Sequence, residues 1–398
     1  MARAALRGAG EAVTGTLQRE REALIVGGGL VGAALGILLA RHGRATEILE
    51  QRAAPQHQVC GEFLSREAVE YLEQLGVPLR ALGAVAIHAV RLHARTTIAA
   101  CELPFPAMSL TRRALDEALL LLAAREGAVV SRGRRVDGLM RGEDGWRATL
   151  RDGATVTAPT AFLATGKHDL AGHRRPAGRQ NNLVAFKMYF RLSAEQQRAL
   201  SGWVELFLFP GGYAGLQMVE EGQANLCLLM ERSRLERCGR NWPGLLAHVL
   251  RWSVALAERL EGAEPLLPKP LALSSIPYGL LMQTAQDGLW RLGDQAAVIP
   301  SFSGDGMSIA LHSAHLAAEM YMRGGTAAEY ARKLRQGLRP AVQLATMFSR
   351  LMVRAPVLAQ AVRLWPGVLA HCASHTRVPE EALLTETFHL RRRDAEPW

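Results

Sequence analysis

The stretch "ALIVGGGLVGAALGILLARHG", residues 23–43, decides how the chain folds. Leu24–Ala40 is a charge-free run, close to the length that crosses a bilayer. Its glycine spacing carries a more specific meaning. Gly27, Gly29 and Gly32 stand as G-x-G-x-x-G between an apolar, strand-like Ala23–Val26 and a helix-like run to about Arg41. In that context the first glycine permits a tight turn and the second lets a pyrophosphate approach the backbone. The third lets helix and strand pack closely. "TEILEQR" then reads as a second strand ending at Glu50. A carboxylate there accepts hydrogen bonds from ribose hydroxyls and repels a 2′-phosphate. The expectation is an α/β, Rossmann-like dinucleotide domain for FAD or NAD rather than NADP. The competing reading, a glycine-rich buried hairpin, gives Glu50 no task.

The 398 residues are enough for two or three domains, and a hydrophobic fraction of 49% fits a globular chain. A net charge of +10 suits anionic cofactors, a lipid surface or nucleic acid alike. No stretch interleaves aromatic and basic residues as a nucleic-acid platform does, so no nucleic-acid partner is expected. Five cysteines without a CxxC pair suggest a reduced compartment, and a cytoplasmic location is expected. Residues 1–21 lack the apolar core of a secretory signal and read as an N-terminal extension.

Two further segments bear on the cofactor. "LTRRALDEALLLLAAREGA", 110–128, is an amphipathic helix with Arg112 at its start, followed by the strand-like "AVV" and "RRVDGL". "GDQAAVIPSFSGDG", 293–306, sets Asp294 and Pro300 ahead of Gly304 and Gly306 at a helix start. The order of these motifs resembles para-hydroxybenzoate-hydroxylase-like flavoproteins. That resemblance implies one FAD bound end to end, with Arg112 near its phosphates and a Val136 backbone contact to adenine. It also implies Asp294 on the ribityl chain, Pro300 beside the flavin, and Gly304 and Gly306 presenting N–H groups to the flavin N1/O2 edge. A positive helix end there stabilises an anionic reduced flavin.

Some segments depart from that pattern. "FLATGKHDLAGHRRP" has Thr165-Gly166 where aromatic hydroxylases have Asp-Gly, which argues against tight NADPH use. Lys167, His168, Arg174 and Arg175 are either cationic contacts for a nicotinamide dinucleotide or a surface loop. "QVCGEFLS", 58–65, resembles the Cys-Gly loop of geranylgeranyl reductases, which makes Cys60 the candidate catalytic residue, as a proton donor tuned by Glu62. The alternative is a small buried filler. Tyr213 matches the reductases' Y-x-W-x-F-P segment, but Gly215, Gln217 and Met218 replace its other residues. The halogenase Trp-x-Trp-x-Ile-Pro segment is absent. Together the motifs resemble bacterial FAD-dependent oxidoreductases of polyketide-type pathways.

The resulting expectation is a FAD-binding domain from residues 22–85, 107–180 and 275–335. An antiparallel β-sheet substrate domain is inserted from 86–106 and 181–274, and C-terminal helices occupy 336–398. Phe186, Met188, Phe207, Phe209 and Tyr213 are expected to wall the substrate pocket. His312 and His315, or His371 and His375, lack the further ligands a metal needs, so no metal is expected. The apolar, arginine-dotted 350–371 packs as helices or touches a membrane surface. The resemblance implies a monooxygenase acting on a small apolar aromatic or polyketide-type substrate with O2, through a C4a-(hydro)peroxyflavin, with NAD(P)H a candidate electron donor. The alternatives are a flavin-dependent C=C reductase and, from another class, a non-catalytic binding protein of the Rab-escort kind.

Overall fold

A computed structural model describes residues 21–95, 97–283, 287–353 and 377–378. The expected N-terminal extension, the helical tail beyond Val353, His371 with His375, and most of the candidate membrane-surface segment lie outside the described residues.

The glycine-rich stretch is strand Ala23–Val26, a turn, and helix Leu30–Arg41, so its apolar run is divided between two buried elements. Ala23–Val26 pairs in parallel with Thr46–Glu50 on one side and Thr160–Leu163 on the other. Val129–Arg132 and Trp290–Arg291 complete a five-stranded parallel sheet at its two edges. Parallel sheets need cover on both faces. On one face, helix Leu30–Arg41 packs against helices Arg112–Arg125 and Gly306–Met322. Gly36 lets the helix lie close on the sheet, because a Cβ there would stand 2.5 Å from Ile48 Cδ1 of strand Thr46–Glu50. On the other face, an antiparallel meander of Val136–Gly142, Gly145–Leu150 and Thr155–Ala158 closes a core containing Leu24, Leu49, Trp146 and Leu163.

The second large sheet runs from Glu264–Pro265 through Leu183–Arg191, Ala224–Glu231, Gly212–Met218, Gly202–Phe209, Val85–Ala94 and Thr97–Ser109 to Phe63–Leu64. It is antiparallel except where Gly202–Phe209 runs parallel to Val85–Ala94, the seam at which two distant parts of the chain meet. Helices Trp242–Trp252 and Val254–Arg259 cover its outer face.

The expected boundary between residues 335 and 336 falls inside one helix, Ala327–Met352. A capping box of Thr326 and Glu329 starts that helix, and it carries Pro340 without ending there. Tyr330, Leu334, Leu338 and Val342 bury its apolar stripe against the core of the parallel sheet, so the helix cannot be assigned to a separate tail.

Candidate functional site

A cleft of about 1200 Å³ opens at the carboxyl ends of the parallel strands and reaches the inner face of the second sheet. Open α/β sheets bind ligands at that end, and the volume exceeds the roughly 300–1,000 Å³ of an ordinary small-molecule pocket. Gly27, Gly29, Glu50, Cys60, Arg112, Val136, Asp294, Gly304 and Gly306 all line it, drawn from segments far apart in sequence. Gly32 and Pro300 do not line the cleft.

The first glycine loop divides its labour. Gly27 has φ +104°, and a Cβ there would meet Ala164 O at 2.6 Å. A Cβ on Gly32 would lie 1.9 Å from Gly27 O, so this glycine serves helix packing. Gly29 differs from both. A Cβ on it would meet no protein atom closer than Arg112 Nη2 at 3.5 Å, so the space it leaves belongs to the cleft. Gly306, first residue of helix Gly306–Met322, likewise has nothing within 4 Å of such a position. The backbone at both ends is therefore open to a ligand, and that is the fit a dinucleotide needs.

Glu50 holds the loop from the neighbouring strand. Its carboxylate accepts from the Gly28 N–H at 2.7 Å and the Arg52 N–H at 2.8 Å. Arg112 is bidentate on Asp116, one helical turn on, at 2.7 and 2.8 Å. Burial disfavours its charge, but Asp116 outweighs that and keeps the guanidinium firmly protonated beside Gly29.

The mid-chain turn is fastened to the late glycine segment. Arg175 is almost fully enclosed. It pairs with Asp169 at 2.6 Å and donates to Lys167 O at 2.8 Å and Asp294 O at 3.1 Å. Of the four candidate contacts that "GKHDLAGHRRP" offered, Arg175 is thus a fastener, while Lys167, His168 and Arg174 line the cleft, His168 pushed toward its neutral form by burial first and then by nearby arginines.

The aromatic wall expected from sequence takes a different position. Phe186, Met188, Phe207 and Phe209 project from the outer face of the second sheet and pack with Leu245, Val249 and Leu256 of its covering helices. Tyr213 points inward but sits behind the cleft, edge-on to Phe302. None of the five lines it. Ala185, the residue before Phe186 on the same strand, does, together with Cys227 of the neighbouring strand Ala224–Glu231, Leu271–Ser274 and Tyr278.

The loop bearing Cys60 carries the densest chemistry. Cys60, Gly61, Glu62 and Phe63 line the cleft, and the Glu62 N–H donates to Cys60 Sγ at 3.4 Å. Glu62 is fully buried at φ +63°, a conformation that costs a branched or long side chain of order 1–3 kcal/mol. What holds it there is Lys187 Nζ at 2.6 Å, Tyr189 Oη at 2.8 Å and the Arg112 N–H at 2.8 Å. Burial pushes the Glu62 carboxyl up, and Lys187 partly offsets this. His57 lies 4.6 Å from the Tyr189 ring and is pushed down to about 4, by burial first and then by Lys187 and Arg113. Sequence reading gave Glu62 a minor part and missed Lys187 and Tyr189. The available signal was a lysine in the middle of an otherwise apolar strand, since a fully buried lysine needs a partner.

Among the described residues no group of His, Cys, Asp and Glu could hold a metal ion, and no helix is long and apolar enough to cross a membrane.

Comparison with known proteins agrees with this geometry. Residues 20–163 match the family model described as FAD binding domain. The chain is 25% identical over 328 residues to a menaquinone reductase of Mycolicibacterium smegmatis, covering 76% of this chain and 77% of the relative. It is 29% identical over 103 residues to squalene monooxygenase of Mus musculus, covering 25% of this chain and 18% of the relative. PqsL of P. aeruginosa, solved in complex with 2-aminobenzoylacetate, superposes with a TM-score of 0.68 at 16% identity, over 86% of this chain and 98% of that one. The chain carries an FAD-binding domain in a para-hydroxybenzoate-hydroxylase-like fold, and it is a flavin-dependent oxidoreductase with FAD as its cofactor.

Proposed function

We propose that this flavin-dependent oxidoreductase is a monooxygenase acting on a small apolar aromatic or polyketide-type molecule held between the cofactor end of the cleft and the inner face of the second sheet. The observation that carries this reading is the continuity of the cleft. It runs without a partition from the glycine cradle at Gly27–Gly29 to Ala185, Leu271, Leu273 and Tyr278. A cofactor lying along the cradle leaves its far end facing Ala185, Leu271, Leu273 and Tyr278.

Gly29 and Gly306 offer backbone N–H groups, Glu50 and Asp294 offer carboxylate acceptors to hydroxyls, and Arg112 offers a fixed cation to phosphates. Bound FAD supplies the redox chemistry, which the protein tunes rather than performs. The chain's own contribution is to orient the substrate against the sheet and exclude water. Tyr278, whose hydroxyl bonds Ser301 at 2.6 Å, marks the wall between the sheet and the late glycine turn.

The deciding experiment offers the purified flavoprotein a lipophilic phenol under 18O2 with NADH or NADPH. The expected product carries one labelled oxygen. An unlabelled, reduced product formed equally well without oxygen overturns the reading.

A second reading, reduction of a C=C bond or quinone, has its own support. The menaquinone reductases match about three quarters of the chain, whereas squalene monooxygenase matches a quarter. Cys60 and Glu62 beside the cleft also suit a reaction that consumes a proton. The anaerobic arm of the same experiment distinguishes the two.

A further inference from the structure

The large apolar side chains that face solvent are not scattered evenly. Trp252 is 41% exposed, Val254 65%, Ile98 63% and Met347 53%, four of the seven such side chains among the described residues. A chain of contacts strings them along one band at the margin of the second sheet. Met347 stands one turn before Arg350 on helix Ala327–Met352. Arg350 donates to the carbonyl of Arg179 at 2.7 Å, and both line an open groove of about 1000 Å³ with Asn182, Pro210 and Arg234. The Pro210 carbonyl accepts a bond from His248 on helix Trp242–Trp252. Trp252 lies one turn further along that helix, and Arg95 Cζ stands 5.9 Å from its ring centroid. The hairpin that carries Arg95, between Val85–Ala94 and Thr97–Ser109, also exposes Ile98.

The charge of the band is largely of one sign. Among the described residues Arg95, Arg179, Arg234, Arg237, Arg251 and Arg350 have no carboxylate partner. Helix Trp242–Trp252 contains no acidic residue. Glu236 holds Arg240 at 3.2 Å, and Glu231 in the groove accepts from Asn182 at 3.4 Å, so neither acid is spent on these arginines. His248 registers the result. Burial pushes it down first, then Arg251 and Arg234, and Arg237 adds to them. Like charges gathered in this way repel one another until an anion joins them.

Arginines alone suit any polyanion, and the apolar side chains decide between them. A nucleic-acid platform leaves aromatic faces open for bases to stack on, whereas Arg95 already stands over Trp252. A bilayer interface accepts the whole set: tryptophan settles at headgroup level, aliphatic side chains reach below it, and arginines meet phosphates. We infer that this band docks the protein on an anionic phospholipid membrane, with its arginines on headgroup phosphates and Trp252 and Val254 in the interface. It is separate from the chain beyond Val353, which lies outside the described residues.

The groove and the cleft share a wall. Arg179 donates its backbone N–H to the Tyr278 carbonyl at 2.7 Å, and Gln180 forms an antiparallel bridge with Tyr278. Gln180 lines the groove and Tyr278 the cleft. Arg232 reaches Ser275, the residue after cleft-lining Ser274, at 3.3 Å. A docked molecule holds its substrate site beside the bilayer, which makes the substrate a lipophile that partitions into the membrane. That step rests on the apolar-substrate reading above, whereas the docking does not.

The test sediments the full-length, FAD-loaded protein with vesicles of phosphatidylcholine alone or mixed with phosphatidylglycerol, at low and high salt. Native protein should bind the anionic vesicles, release them in high salt and ignore the neutral ones. Arg234→Gln with Arg251→Gln should weaken binding about thirtyfold, at roughly fivefold per charge. Trp252→Ser with Val254→Ser should also weaken it while both variants keep their FAD, and Val254→Ser alone decides the matter if the Trp252 variant does not fold. The inference is overturned if native protein ignores anionic vesicles, or if both double variants bind as the native does. It is equally overturned if only the arginine variant loses binding and duplex DNA competes as well as the vesicles do, which would make the band a general polyanion surface. Protein that takes up no FAD sinks the oxidoreductase reading instead, and the vesicle result still stands.

Discussion

Gln295 donates its side-chain amide to the carbonyl of Gly166 at 2.7 Å and to that of His168 at 3.0 Å. Through this contact the residue after Asp294 ties the mid-chain turn to the late glycine segment, across 129 residues of sequence. Gln295 is fully buried, so truncation leaves two carbonyls without that donor. Gln295→Ala should cost about 2–4 kcal/mol, from lost bonds and unpaired acceptors. Thermal unfolding of the apo and FAD-loaded forms should show the larger loss in the loaded form.

Gly29→Val and Gly32→Ala should fail in different ways. At Gly29 the side chain enters the cleft and touches little protein, so the variant should fold, keep its circular dichroism spectrum and purify without flavin. At Gly32 even one methyl meets Gly27 O, so that variant should unfold at lower temperature or not accumulate. If Gly29→Val purifies yellow, the cofactor has been placed wrongly.

Asp294→Ala removes a cleft-lining carboxylate whose backbone carbonyl is already held by Arg175. A hydrogen bond to a charged acceptor is worth roughly 1.5–3 kcal/mol, or about a tenfold to hundredfold weaker FAD affinity. Fluorescence titration of apoprotein should register that loss with little change in the apoprotein's melting temperature.

Acid should destabilise the fold through His312 and His315. Both are pushed down from 6.5 to about 4, by burial first and then, for His312, by the neighbouring histidine and Lys333. The unfolded chain therefore binds more protons than the native one between those values, and stability rises with pH across that window. It should be complete above about pH 6.5 and fall as the pH drops toward 4, by a few kcal/mol in all. His315→Leu should flatten part of this acid limb in melting curves measured against pH.

Phe207→Ala tests the corrected position of the aromatic wall. The side chain is fully buried under the covering helices and stacks on His93 at 4.8 Å. Removing it should cost about 3–5 kcal/mol of stability. Among molecules that still turn over, the substrate preference should not change. A changed preference with unchanged stability would return Phe207 to the pocket.

The glycine cradle was legible in the sequence because its causes are local. A strand, three spaced glycines and an acid at the next strand end specify their geometry within a short segment. The face of strand Leu183–Arg191 was not legible in the same way. Eight of its nine residues are buried, so the usual alternation between polar and apolar positions is missing. With no alternation to fix which side is inward, a one-residue shift in the assignment exchanges the two faces. That is how Phe186 and Met188 came to be expected where Ala185 and Lys187 stand. The Glu62 cluster was hidden for a different reason. Glu62 lies 125 and 127 residues from Lys187 and Tyr189, and only the tertiary fold brings them together.

The order of strands in the parallel sheet also governs how the protein is made. Ala23–Val26 leaves the ribosome well before its sheet partner at the edge, since Trp290–Arg291 and the turn after it arrive some 265 residues later. At roughly 5–20 residues per second, that is a wait of about 13–50 seconds. Gly27, Gly29, Glu50 and Arg112 of the cleft are all made before that strand, while Asp294, Gly304 and Gly306 come after it. The nascent chain carries one half of the cleft lining long before it can complete the other half. Synthesis interrupted before Asp294 leaves a polypeptide that has its glycine cradle but lacks the opposite wall of the cleft.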